Sequence, residues 1–347
     1  MSPPVAARAI TRRRTILASA SVALLGAAGA ALLARAGWRP FARTEPAEDL
    51  SIALASTPHA ALLHIAAAEG YFEDEGLAVT LTPVSHGKAA LDLLAQRKTD
   101  LAAAAEVPFV ISVLQGEPFG IAASMLSVST EMAVVARLDH GIRQPADLPG
   151  KKVGVTLGTS GEYFLWAFLI RHKLPPDAVT LVDLPPGRIV EALAQGHVDA
   201  ASTWQPIRLD AESALGLRGV SFTAPAAYTV THVVVGRTDF LRQRPATLRK
   251  LVRALLKAEQ FSRNQPEHAM AVAAQRLKID PAALRPSWAD LGFRVNLLQS
   301  QLVTLEDEAR WAMARGHAPP KAVPNFLPHL YLDALLAEQS DRVTVVH

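Results

Sequence analysis

Asp147 to Pro206, DLPGKKVGVTLGTSGEYFLWAFLIRHKLPPDAVTLVDLPPGRIVEALAQGHVDAASTWQP, is the stretch whose reading decides the fold. Val153 to Leu157 alternates as a strand does, Gly158 to Gly161 turns, and Glu162 to His172 is a mostly apolar helix stopped before Pro175 and Pro176. A second strand, Val179 to Leu184, ends at Pro185-Pro186-Gly187. Arg188 to Gln195 spaces Ile189, Ala192 and Leu193 as a helix does, and Gly196 ends it. Asp199 to Thr203 then forms a third strand, which stops at Trp204-Gln205-Pro206. Strands alternating with helices of this length predict a mostly parallel sheet, and such sheets hold ligands beyond the carboxyl ends of their strands.

The same pattern occurs once before. Ala78-Val79-Thr80-Leu81 is identical to Ala178-Val179-Thr180-Leu181, and Gly87-Lys88 lies as far downstream as Gly187-Arg188. Leu94-Ala95-Gln96 followed by Asp100 matches Leu193-Ala194-Gln195 followed by Asp199. A repeat this long predicts two similar α/β halves rather than a solenoid. It pairs the loops: Ser56-Thr57-Pro58-His59 with Gly158-Thr159-Ser160-Gly161, Ser85-His86-Gly87 with Pro185-Pro186-Gly187, and Ala105-Glu106-Val107 with Trp204-Gln205-Pro206. If the halves face each other, these loops line a cleft. Glu131 to Arg137 and Thr229 to Arg237 read as strands crossing between the halves, so closure about a hinge is the expected motion. The chain then turns helical, over Arg244–Asn264, Pro266–Leu277, Asp280–Trp288, Leu297–Gly316 and Pro328–Glu338.

Composition narrows the function. The 347 residues are half apolar and carry a net charge of +3, much of it from Arg8, Arg12, Arg13, Arg14, Arg35, Arg39 and Arg43. The remainder is near neutral, which argues against nucleic acid as a partner. Arg12-Arg13-Arg14 precedes an apolar run from Thr15 to Leu33, with Ala28-Gly29-Ala30 and Ala34-Arg35-Ala36 as small-residue cleavage sites. Residues 1–49 therefore read as an export signal or uncleaved anchor plus linker, and Arg13-Arg14-Thr15-Ile16-Leu17 is similar to a twin-arginine signal. The absence of cysteine excludes disulfides, a thiolate nucleophile and lipid attachment at an amino-terminal cysteine. No GxSxG, HExxH, P-loop or post-strand GxGxxG is present. His59 and His64 are not at i,i+4 spacing and no carboxylate completes a metal triad in the sequence, so neither a cofactor nor a metal nor catalysis is expected.

Several motifs resemble the periplasmic substrate-binding proteins of ABC importers, in the family of nitrate, sulfonate, taurine and thiamine-precursor binders. They are Ala68-Glu69-Gly70-Tyr71-Phe72 with Glu75-Gly76-Leu77, the run from Asp147 to Val155, Ala192-Leu193 with Gly196 and Val198-Asp199-Ala200, and Trp204 with Pro206. The likeness spans about Ser51 to Pro206. It implies a two-lobed α/β periplasmic binding protein-like fold with a hinge and carboxyl-terminal helices. Lobe 1 would comprise residues 50–134 and 234–347, and lobe 2 residues 135–233. It also implies a monomer that captures a small molecule and delivers it to a membrane permease driven by a cytoplasmic ATPase. The chain departs from the family pattern at Gln205, where an acid is frequent, and at Ser85-His86-Gly87.

The expected ligand contacts follow from the loops. Thr159, Ser160 and Gly161 open a helix whose free amides suit an anion, although Thr159 and Glu162 have capping-box spacing that would occupy two of them. Ser56, Thr57 and His59 are the matching set. Ser85, His86 and Gly87 offer a hydroxyl, an imidazole and a backbone donor, against a plain turn role for Gly87. Glu106 interrupts an apolar run and needs a partner, from ligand or protein. Trp204 and Gln205 would wall the cleft, and Tyr228, Thr229 and His232 lie where the second crossing strand passes it. Helix-start donors and hydroxyls favour a sulfonate-like anion; Trp204 with Glu106 favours a pyrimidine or aromatic ligand. Enzymes making pyrimidine or menaquinone precursors on the same fold are the rival class.

Overall fold

The structure, a computed structural model, describes residues 46–225 and 227–346. The arginines and apolar run read as an export signal or anchor lie outside the described residues. Ala47–His347 cluster as one compact unit. Its first strand, β1 (Glu48–Ala55), begins inside the stretch read as linker.

Eleven strands form two sheets among the described residues. The first holds β1, β2 (Leu77–Val84), β3 (Leu101–Ala105), β4 (Phe119–Val128), β10 (Val230–Arg237) and β11 (Gly292–Asn296), ordered β11-β4-β10-β3-β1-β2. The second holds β5 (Ala133–Arg137), β6 (Lys152–Val155), β7 (Thr180–Asp183), β8 (Ala200–Thr203) and β9 (Gly219–Phe222), ordered β7-β6-β8-β5-β9. In each, a parallel core (β2-β1-β3 and β7-β6-β8) meets an antiparallel strand, β10 or β5. The chain enters the second sheet between β4 and β5 and returns to the first between β9 and β10. These are the two places where the sequence predicts crossings.

Register confirms the repeat. Ser51 pairs with Thr80 as Lys152 pairs with Thr180, and Ile52 pairs with Leu101 as Val153 pairs with Ala200. One carboxylate serves the same purpose twice. Asp100 accepts from Ser51 N at 2.8 Å, and Asp199 accepts from Lys152 N at 2.7 Å. Each aspartate stands directly before β3 or β8 and satisfies a backbone amide of the central strand beside it.

Both faces of the second sheet are buried. On β5, Val134 and Ala136 join the main core, while Ala133 and Val135 join a smaller one with Ile189, Leu193, Ala211 and Leu215. That alternation is the period of two that puts successive side chains on opposite faces. The helix Pro245–Asn264 buries Leu248, Leu251, Val252, Leu255 and Ala258 at helical spacing and packs on the helices Ala61–Ala68 and Asp333–Glu338. Strand β11 departs from the sequence reading, which left Gly292 to Asn296 unassigned. In this short edge strand only Val295 and Asn296 are buried, too weak an alternation to see.

Candidate functional site

Loops from both sheets meet around one cavity. Thr57 and His59 come from the turn after β1, His86, Gly87 and Lys88 from the turn after β2, and Ala103, Ala104 and Ala105 from β3. Thr159 and Ser160 follow β6, Trp204 follows β8, and Val230 and His232 lie on β10. The cavity encloses about 590 Å³ of atom-free space, part of it continuous with solvent. Five of the six predicted loops contribute. Pro185-Pro186-Gly187, after β7, does not.

Two helices start at this cavity, Gly87–Ala95 and Ser160–Arg171, and neither has a side-chain cap. The first-turn amides of a helix lack intrahelical acceptors and carry the positive end of its dipole. The predicted capping box is absent. Thr159 Oγ1 donates to Thr156 O at 2.6 Å, and Glu162 accepts from Gly158 N at 2.7 Å, held there by His317 at 2.9 Å. Glu162 is thus turned back into the loop, and the helix start faces the cavity without it. Gly87 allows the close approach of its helix to β3. A Cβ there would lie 2.9 Å from Ala104 Cα, so the run of alanines in β3 and the glycine work together.

Not every predicted contact reaches the cavity. Ser56 and Thr229 are exposed, and Ser85 is exposed with its Oγ 2.8 Å from His86 Nδ1. Gly161 lies beneath the indole instead: a Cβ there would meet a Trp204 ring carbon at 3.2 Å. Its conformation serves packing, letting Trp204 lie against the helix start. Gln205 lines a second, adjoining cavity together with His59, Glu131, Arg208 and Asp290.

Glu106 and Tyr228 sit behind the cavity wall. The Glu106 carboxylate is fully buried, accepts from Thr231 N with both oxygens at 2.9 and 2.8 Å, and from Tyr228 OH at 3.0 Å. Tyr228 OH also lies 3.3 Å from Ser160 Oγ and from Glu308 Oε1. Burial pushes both carboxyls above the usual carboxylate range, helped at Glu106 by the Glu131 charge and at Glu308 by Glu106. The acid expected to seek a ligand has found internal donors and a second acid, Glu308. That partner lies 202 residues away and left no mark in the local sequence.

A third cluster borders both cavities. Glu131 pairs with His59 Nε2 and lies 3.8 Å from His232 Nε2, and the two imidazoles are stacked with centroids 4.2 Å apart. Burial works to raise the Glu131 carboxyl, but the two imidazoles outweigh it and hold it at about 2. Burial, helped by His59, lowers His232 to about 4. The sequence reading found no carboxylate for His59 because it looked near His64. That residue is elsewhere, lowered to about 4 by burial and then by Arg276. The partners of His59 are 72 and 173 residues downstream, joined only by the fold.

Fold and topology together define a two-sheet α/β architecture of the periplasmic binding protein type. The alkanesulfonate-binding protein SsuA from Xanthomonas axonopodis pv. citri, solved bound to MOPS, is similar with a TM-score of 0.71 at 20% identity, over 83% of this chain and 99% of that one. Residues 57–269 match the family described as NMT1/THI5 like, and the chain belongs to that family. A Brucella abortus (strain 2308) protein described as a binding protein is 30% identical over 163 residues, which are 46% of this chain and 50% of that protein. The taurine-binding periplasmic protein of Escherichia coli (strain K12) is 24% identical over 220 residues, 62% of this chain and 67% of that one. The chain thus spans about half the length of the Brucella relative it matches. Among the described residues no helix is long and apolar enough to cross a membrane.

Proposed function

We propose that this chain is the exported solute-binding component of an ABC importer. It captures a small sulfonate-like organic anion and delivers it to a membrane permease without altering it. The observation carrying this reading is the meeting of two uncapped helix starts, at Gly87 and Ser160, in one cavity with Thr57, His59 and Trp204. Backbone amides at helix starts bind oxoanions by dipole and hydrogen bond, with no fixed countercharge needed. The elements of the first sheet, up to β4 and from β10 onward, would act as one lobe and β5 to β9 as the other, each boundary a few residues from the expected 134/135 and 233/234, closing about the segments before β5 and before β10. Names of relatives that bind taurine and alkanesulfonates point the same way.

A flat heteroaromatic ligand is the second reading, favoured by Trp204 on the wall. It loses the support of Glu106, which is not in the cavity. A thermal-shift panel of alkanesulfonates, taurine, nitrate, pyrimidines and aromatic acids separates the readings. Ligand at about 100 times its Kd adds roughly 2.7 kcal/mol to stability. An alkanesulfonate giving the largest shift supports the proposal; a pyrimidine giving it supports the second reading. No shift with any solute, or conversion of the ligand seen by mass spectrometry, would contradict both.

A further inference from the structure

We infer that His59, Glu131 and His232 form a binding site for one first-row divalent cation, with zinc the ion best suited to the donor set, in the wall between the two cavities. Their donor atoms all lie within 4.8 Å of one another. Around a single zinc, with bonds of about 2.0–2.2 Å, donors stand roughly 3.3 Å apart, so side-chain adjustment alone would close the set. Two imidazoles and one carboxylate are a recurrent zinc set, and three protein ligands leave an open position. Here that position faces a cavity, since His59 and Glu131 line both.

Three features orient the donors. Thr57 Oγ1 lies 3.1 Å from His59 Nδ1, fixing the ring so that Nε2 faces Glu131, as outer partners of metal-bound histidines do. A β-bulge falls between His232 and Val233 in the pairing of β10 with β4, and bulges re-aim side chains. The carboxylate comes from the turn before β5, so all three groups arrive on different segments.

The rings are parallel to within 3°, and in-plane lone pairs of parallel rings do not meet at a point. For a cation to bind, one ring tilts out of the stack. No organic ligand is needed for this step, so the cation site stands or falls apart from the anion reading.

The test uses the purified full-length chain with metal alone. Equilibrium dialysis against Zn(II), and titration with Co(II) as the coloured substitute, should give one ion per chain. The Co(II) spectrum should show the intense visible bands of four-coordinate nitrogen and oxygen ligation. His59→Ala, Glu131→Gln and His232→Ala should each weaken Co(II) binding about tenfold or more. The exposed His268→Ala should leave it unchanged. Circular dichroism checks folding, and His232→Gln replaces any triad variant that fails to fold. Retention of no ion overturns the inference. So does binding that survives the triad substitutions, or that is lost in His268→Ala.

Discussion

The two parallel cores, β2-β1-β3 and β7-β6-β8, share register and the strand-start aspartate, yet their loops do different things. Gly87, after β2, opens a helix that presses against β3, while its counterpart Gly187, after β7, would meet no atom within 4 Å of an added Cβ. Pro185 and Pro186 have no amide hydrogen to offer a ligand, whereas Ser85 and His86 do. Repetition has kept what the sheets need and varied what the cavity needs. Strand pairing lives in the repeated residues, and chemistry lives in the loops that diverged.

The strongest way to break that contrast is a paired substitution of the two glycines. Gly87→Ala should cost about 1–3 kcal/mol in chemical denaturation, because the new methyl runs into Ala104 backbone, and should weaken ligand binding as the helix start moves. Gly187→Ala should stay within about 0.5 kcal/mol and leave binding intact. Equal costs at both positions would erase the distinction. The aspartates are the converse case, one role in both halves. Asp100→Asn and Asp199→Asn should each cost about 1–2 kcal/mol, similar to each other, by weakening the bond to the Ser51 or Lys152 amide.

Trp204→Ala should lower affinity for the best anion about tenfold while the protein stays folded, read by calorimetric titration. Unchanged affinity would take the indole out of the site.

A smaller effect separates the internal acid pair from the cavity. Glu106 and Glu308 hold raised pKa values, so the folded state binds a proton more tightly than the unfolded chain does. Their contribution is fully present below the ordinary value near 4.5 and is lost as pH rises above it. Glu308→Gln should therefore flatten the alkaline decline in stability and raise it by roughly 1–3 kcal/mol at pH 8, measured by denaturant titration. A parallel shift of the whole pH curve would show the pair does not titrate in this way.

The sheets were readable because their signals are local: alternation in Val153 to Leu157, glycine stops, and a repeat that carries its own register. The helix starts at Gly87 and Ser160 were readable for the same reason. Thr159 and Glu162 misled because capping-box spacing does not determine which amide the carboxylate turns to, and Gly158 N won. Glu106 misled because its answer, Glu308, lies on a helix far along the chain. His59 and His232 were read as separate contacts, and their meeting with Glu131 escaped notice for the same reason. Spacing reveals what one element presents; it is silent about groups that three elements bring together.

Hydrogen exchange with mass spectrometry, in the absence and presence of a saturating alkanesulfonate, tests the central claim most directly. The account predicts that peptides containing Thr57–His59, His86–Lys88, Thr159–Gly161 and Trp204 gain protection together, while Pro185–Arg188 does not. Protection confined to one sheet's loops, or spread to the loop after β7 as strongly as to the loop after β2, would contradict it.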